Sequence, residues 1–416
     1  MMQGNIFSGL YSLVSQEEKI KLRREDDPVV ALIDAMLFQA IRLHASDIHL
    51  QPHENLLRVR YRIDGNLYDQ QAVAAQYKPQ VISRLKILSA LDISERRVPQ
   101  DGKFKAQVFC DNGSSKIIDF RVSTFPSLYG EKMVIRILDR DYRLLSLEML
   151  GFNENLREKF FPLVRRSTGL LLVTGPTGSG KTTTLYALLG ALNKTNKNIV
   201  TMEDPIEYEL AGITQSQVHV KAGFTFENGL RSMLRQDPDI IMIGEIRDVP
   251  TANIAIEAAL TGHLVVSTLH TNDAAGAITR LMDMGVEPFL ISASLGGVVA
   301  QRLVRKLCEK CRQQIEPSEH ERAALQALFP NEQVTQIFVA HGCSACFNLG
   351  HKGRLGVFEL LLIDDRIKEM MLSKASYQEI KTYAIRQGMI TLQRDALAKV
   401  QEGIISLEDL FSLLIH

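Results

Sequence analysis

Apolar positions along this chain follow two periods, and the change between them marks where one domain gives way to the next. Val29, Ile33, Met36, Leu37, Ala40 and Ile41 recur at helical spacing behind Asp26-Asp27-Pro28. An N-cap and first-turn proline of that kind predict a helix running to about Leu43. Leu57-Arg58-Val59-Arg60-Tyr61-Arg62-Ile63 alternates instead and closes on Asp64-Gly65, so it reads as a strand with its three arginines on one face. A helix over 78–91 and strands over 115–124 and 131–138 complete a mixed α/β domain. Beyond a linker and helix, short apolar strands at 170–173, 198–202, 240–243 and 264–268 alternate with helical stretches. That order predicts a largely parallel sheet covered on both faces. The end of the chain turns helical, with a capping box at Ser376-x-x-Glu379 and a near match at Ser406-x-x-Asp409. The expected division is an extension (1–27), an N-terminal α/β domain (28–140), a linker and helix (141–168) and a second α/β domain (169–416). The last includes a cysteine-bearing insert at 305–350 and a helical region at 362–416.

Chemistry concentrates at the first junction of the second domain. Gly175-Pro176-Thr177-Gly178-Ser179-Gly180-Lys181-Thr182 is a complete G-x-x-x-x-G-K-[ST] turn between a strand and a helix, and Thr183 follows it. The glycines let backbone N–H groups and the helix start face phosphate oxygens. Lys181 then reaches the β- and γ-phosphates, and the Thr182 hydroxyl sits on Mg²⁺. A nucleoside triphosphate is the implied ligand.

Hydrolysis needs acids beside that turn. Ile240-Ile241-Met242-Ile243-Gly244-Glu245 is an apolar strand ending in an acid, which places Glu245 with the magnesium. Met202-Glu203-Asp204-Pro205-Ile206-Glu207 puts three acids at another strand end. Glu203 is the candidate general base, with Asp204 and Glu207 as alternatives. His263 and His270 bracket a further strand and are candidates for sensing the γ-phosphate.

Cys308-x-x-Cys311 and Cys343-x-x-Cys346 form two matched pairs, a set suited to tetrahedral Zn²⁺. Cys110 stands apart and reads as a small buried or partly exposed side chain.

Composition narrows the choice of partners. Lys+Arg 48 balances Asp+Glu 48, so no global field draws the chain to nucleic acid or anionic lipid. No stretch is apolar and long enough to span a bilayer, and the N-terminus lacks a secretory pattern. A cytoplasmic protein is expected. Arg302, Arg305, Lys306, Lys310 and Arg312 crowd the first cysteine pair. They read as a solvated basic helix or a ring lining, while leaving a nucleic-acid-translocating ATPase as one rival. A regulatory scaffold that binds ATP without turnover is the other.

Several longer segments carry a family resemblance: ASDIHLQP at 45–52, RVPQDGK at 97–103, FRVSTFPSLYGEKMVIRIL at 120–138, MEDPIEYEL, LRQDPDIIMIGEIRD at 234–248, TGHLVVSTLHTNDA at 261–274 and QRLVRKLC. With the phosphate turn and both cysteine pairs, the chain resembles the ATPases that power type II secretion and type IV pilus assembly. The resemblance implies a RecA-like P-loop domain after the N-terminal domain, Glu245 in place of an Asp, and a homohexamer. It also implies that Arg121 and Arg136 of the N-terminal domain close over the phosphates, as arginine forks can. An inner-membrane platform protein is the implied partner, with peripheral attachment at the cytoplasmic face of the bacterial inner membrane. Larger members carry an extra N-terminal docking domain, and a short form without it is expected here. The cysteine insert favours an assembly or secretion motor over a retraction motor.

Overall fold

The computed structural model describes residues 12–13, 27–109, 115–139 and 146–414. It divides into two compact units, 1–141 and 142–416. Most of the expected N-terminal extension, and Cys110, lie outside the described residues.

The first unit is an eight-stranded antiparallel sheet: β1 (Ser12–Leu13), β2 (Asp47–Pro52), β3 (Leu56–Ile63), β4 (Asn66–Asp69), β5 (Val73–Ala74), β6 (Gln100–Phe109), β7 (Ser115–Ser127) and β8 (Gly130–Asp139). Strand order is β1-β6-β7-β8-β2-β3-β4, with β5 on β3. Two helices accompany it, α1 (Pro28–Arg42) and α2 (Lys78–Leu88). Asp27 caps α1 by accepting from Val29 N, and Pro28 opens the helix, as its sequence requires. The alternation in β3 buries Leu57, Val59, Tyr61 and Ile63 and turns Arg58, Arg60 and Arg62 the other way. Tyr61 donates its hydroxyl to the Met36 carbonyl at 2.8 Å, tying the apolar face of the sheet to α1. Lys86 of α2 lies 2.6 Å from Glu131 of β8, both almost fully buried.

The second unit opens with α3 (Glu154–Val164), β9 (Gly169–Thr174), α4 (Lys181–Leu192), β10 (Ile199–Glu203) and β11 (Thr214–Gln217). There follow α5 (Phe226–Met233), β12 (Ile240–Ile243), α6 (Val249–Leu260), β13 (Leu264–Leu269), α7 (Ala274–Asp283), α8 (Pro288–Ser294) and β14 (Leu295–Leu307). A short ribbon of β15 (Gln313–Ile315) and β16 (Ile337–Val339) flanks α9 (Glu319–Leu328), and β17 (His351–Leu362) returns to the main sheet. Four helices close the chain: α10 (Asp365–Leu372), α11 (Tyr377–Arg386), α12 (Leu392–Gln401) and α13 (Leu407–Ser412).

The sheet runs β11-β10-β12-β13-β9-β14-β17, parallel except for the β14–β17 pair. Side chains alternate between two cores. Leu170 and Leu172 of β9 join a cluster with α5, α6, α7 and the C-terminal helices, and Leu171 and Val173 join one with α3 and α4. Burial on both faces is why these strands read as continuous apolar runs. The largely parallel sheet is as expected, and one expectation needs correction. The basic stretch at 302–306 is strand rather than helix: β14 is a long strand whose glycine-containing start, Leu295-Gly296-Gly297, fits between β9 and the antiparallel edge strand β17.

Candidate nucleotide site

Parallel strands point their C-terminal ends the same way, so the loops after β9, β10, β12 and β13 share one edge of the sheet. Register fixes this: Thr174 pairs with Leu269, Ile243 with Ser267, and Met202 with Ile243. The phosphate turn leaves β9 with Gly175, Gly178 and Gly180 all at positive φ, which L side chains avoid. Gly180 caps α4 without a side-chain hydrogen bond, so the first N–H groups of that helix have no side-chain cap. Pro176, Thr177, Gly178 and Thr182 are exposed, Gly180 and Thr183 half-buried, and Ser179 buried. Lys181 is buried and arches over the turn, donating to the carbonyls of Gly175 at 2.8 Å and Pro176 at 3.0 Å. Burial lowers its pKa, with Arg302 adding to the effect and Glu245 opposing it.

Glu245, just past β12, pairs with Arg247 at 2.6 Å and approaches His270 Nε2 at 3.5 Å. The loop holding His270 is pinned to the phosphate strand: Thr271 N donates to Thr174 Oγ1 at 2.9 Å, and the two threonine hydroxyls meet at 2.7 Å. Desolvation lowers the His270 pKa, reinforced by Lys181 and opposed by Glu245. His263, by contrast, precedes β13 at the far edge of the sheet and contacts the Ala258 carbonyl at 2.9 Å. It caps the end of α6 and is not near the phosphate turn, which corrects the pairing of the two histidines.

Glu203 closes β10 and is 2 % exposed. Its carboxylate accepts from the Tyr186 hydroxyl, from Thr201 Oγ1 at 2.6 Å and from Gln215 Nε2 at 3.1 Å. Tyr186, whose pKa is raised by burial and by Glu203, also accepts from Glu207 N at 3.3 Å. Asp204 and Glu207 themselves are exposed. The apolar periodicity of α4 conceals Tyr186, and nothing in the spacing signals its role.

The four cysteines converge. Their sulfurs lie within 4.8 Å of one another, with Cys308–Cys343 at 3.9 Å, Cys311–Cys346 at 3.7 Å and Cys343–Cys346 at 3.8 Å. Zn–S bonds of about 2.3 Å make a tetrahedron with edges of about 3.8 Å, so the donor set fits zinc in identity and spacing. Backbone N–H groups of Gly342, Cys343 and Gly350 point at the sulfurs, as in thiolate knuckles. Burial raises the Cys346 pKa, but hydrogen bonds from the N–H groups of Cys343 and Gly350, with those of the Cys311 and Cys343 thiols, bring it down to about 7. The neighbouring basic residues are engaged locally. Arg305 pairs with Asp409 at 2.8 Å, Arg302 with the Asn272 carbonyl at 2.8 Å, and Lys306 with Glu309 at 2.7 Å.

In the first unit, Arg121 and Arg136 are cross-strand neighbours on β7 and β8. Arg136 is exposed and bonds Asp47 at 3.1 Å, and Arg121 is half-buried.

A glycine turn at the C-terminal edge of a parallel sheet, with acids from the adjoining strand ends, defines a P-loop nucleoside triphosphatase of the RecA-like α/β class. Residues 23–412 match the family described as Type II/IV secretion system protein. The chain is 46% identical over 403 residues to the type II secretion system ATPase E of Vibrio cholerae, covering 97% of this chain and 78% of the relative. It is 47% identical over 387 residues to the type IV pilus assembly ATPase PilB of Myxococcus xanthus, covering 92% and 68%. Among solved structures it resembles the ATPase DotB of Legionella pneumophila (TM-score 0.66, 22% identity, 92% and 95% covered). It also resembles the pilus retraction motor PilT with bound ADP (TM-score 0.58, 26% identity, 91% and 95% covered). This chain therefore belongs to the type II/IV secretion system protein family. Among the described residues no helix is long and apolar enough to cross a membrane.

Proposed function

We propose that this chain is the ATP-hydrolysing motor subunit of a type II secretion or type IV pilus assembly machine. The observation that carries the reading is the complete phosphate turn with Glu203 and Glu245 at the same sheet edge, in a chain 46% identical over 97% of its length to a secretion ATPase. The turn's N–H groups and Lys181 hold the phosphates, and Glu203 takes the proton of the attacking water. Mg²⁺ held by Thr182 and Glu245 would neutralise charge on the β- and γ-phosphate oxygens. His270, beside Glu245, registers the γ-phosphate. Zinc at Cys308, Cys311, Cys343 and Cys346 serves a structural role.

By the same family resemblance the working form is a homohexamer in the cytoplasm, bound to a platform protein at the inner membrane. The internal pairing of Arg302, Arg305 and Lys306 leaves a nucleic-acid track without support. Phosphate release from ATP by the purified chain tests the reading. Lys181→Ala should abolish it together with nucleotide binding, and turnover that survives this substitution overturns the assignment.

A further inference from the structure

Gln301 of β14 sits one residue beyond Ala300, the pairing partner of Thr174, and so runs alongside the start of the phosphate turn. It is 1 % exposed. Its Nε2 donates to the Ser179 carbonyl at 2.8 Å, and its Oε1 accepts from the hydroxyl of fully buried Thr184, on the first turn of α4, at 2.7 Å. Glycines at both ends of the turn make room for this residue. A Cβ on Gly175 would stand 2.4 Å from the Gln301 carbonyl oxygen, and one on Gly180 would stand 2.8 Å from Nε2. The glycines therefore serve more than backbone conformation.

We propose that Gln301 is a positioning residue of the nucleotide site, a buried carboxamide that holds the phosphate turn from behind. This deepens the reading of 175–182 as the triphosphate-binding turn and rests on it. A peptide plane has its N–H and C=O on opposite sides. Drawing the Ser179 carbonyl back toward Gln301 turns the following N–H, that of Gly180, forward, and the Thr184 bond fixes the start of α4 against the same anchor. One side chain thereby sets both parts of the anion cradle. Neither bond can reverse: a carbonyl only accepts, so Nε2 must face Ser179 and Oε1 must face Thr184.

The test uses full-length protein and fluorescently labelled ADP, titrated across pH 6–8. Gln301→Glu keeps the shape but sets a carboxylate against the Ser179 carbonyl, and affinity should fall roughly tenfold or more at pH 8. A buried carboxyl is readily protonated, and its O–H restores the missing donor, so affinity should return toward wild type as pH falls. Ratios to wild type at each pH cancel the nucleotide's own titration. Lys181, Arg302 and, on the paired strand β17, buried Glu359 are present in both proteins, so only their response to the new carboxylate enters the ratio. Thr184→Val should weaken binding without pH rescue, while Thr184→Ser should bind as wild type. Gln301→Glu binding like wild type at pH 8, or a loss indifferent to pH, overturns the proposal. If Gln301→Glu does not fold, wild-type affinity in Thr184→Val overturns it equally. A wild-type protein that fails to bind ADP would instead sink the nucleotide-site reading itself.

Discussion

Glu203→Gln separates a catalytic acid from a core hydrogen-bond acceptor, because the structure predicts a different size for each effect. The carboxylate is nearly inaccessible and accepts from Tyr186, Thr201 and Gln215. An amide keeps one acceptor oxygen and turns the other position into a donor facing donors. The two hydroxyls can rotate to accept, so the stability cost stays near that of one unsatisfied buried group, about 1–3 kcal/mol. For a unit of this size each kcal/mol lowers the melting midpoint by roughly 2–4 °C, and the protein remains folded at room temperature. Loss of a general base costs far more in rate, about 10²–10⁴-fold. Calorimetry and steady-state phosphate release on the same preparation read the two quantities. The expected result is a midpoint lowered by several degrees, an unchanged nucleotide affinity and a kcat reduced at least about a hundredfold. A lowered midpoint with kcat within about threefold of wild type would refute the reasoning, leaving Glu203 as the anchor for Tyr186 and the base among its exposed neighbours Asp204 and Glu207.

Metal analysis of purified protein should find about one zinc per chain, and Cys346→Ser should lose it with a fall in melting midpoint. Zinc-free protein with four thiols open to a chromogenic reagent would refute that site. The lowered pKa of His270 predicts an imidazole that titrates below the ordinary range near 6.5 in proton NMR. Removing the opposing carboxylate in Glu245→Gln should move it lower, and removing the reinforcing cation in Lys181→Met should move it up; shifts of the opposite sign contradict the charge placement. In the first unit, Lys86→Met leaves Glu131 buried without its partner and should cost about 3–5 kcal/mol by urea denaturation. The double change Lys86→Met/Glu131→Leu should recover most of that loss, and failure to recover would mean packing rather than charge dominates.

Where local chemistry dictated structure, the sequence was a reliable guide. The capped start of α1, the alternation of β3, the phosphate turn and the two cysteine pairs each need only neighbouring residues to be recognised. β14 and β17 did not stand out because their character comes from partners distant in sequence. Leu295-Gly296-Gly297 carries weak strand propensity and becomes strand only between β9 and β17. Motif logic put Glu203 and Glu245 at strand ends, and the structure makes those strands neighbours, but it did not find what holds the side chains. Tyr186 lies within an apolar helix and Gln301 within a buried strand; the first is set by its bond to Glu203 and the second by its bonds to Ser179 and Thr184, all outside their own elements.

β14 gives that long-range dependence a physical form. Along one strand Gln301 holds the phosphate turn, Arg302 bonds Asn272 beside the His270 loop, Arg305 pairs with Asp409 in α13, and the chain then enters the cysteine cluster at Cys308. The strand is paired on both sides at its start and with β17 almost to its end, so these attachments cannot shift independently without breaking ladder hydrogen bonds. The cysteine cluster and the turn at 175–182 are therefore joined along one continuous strand.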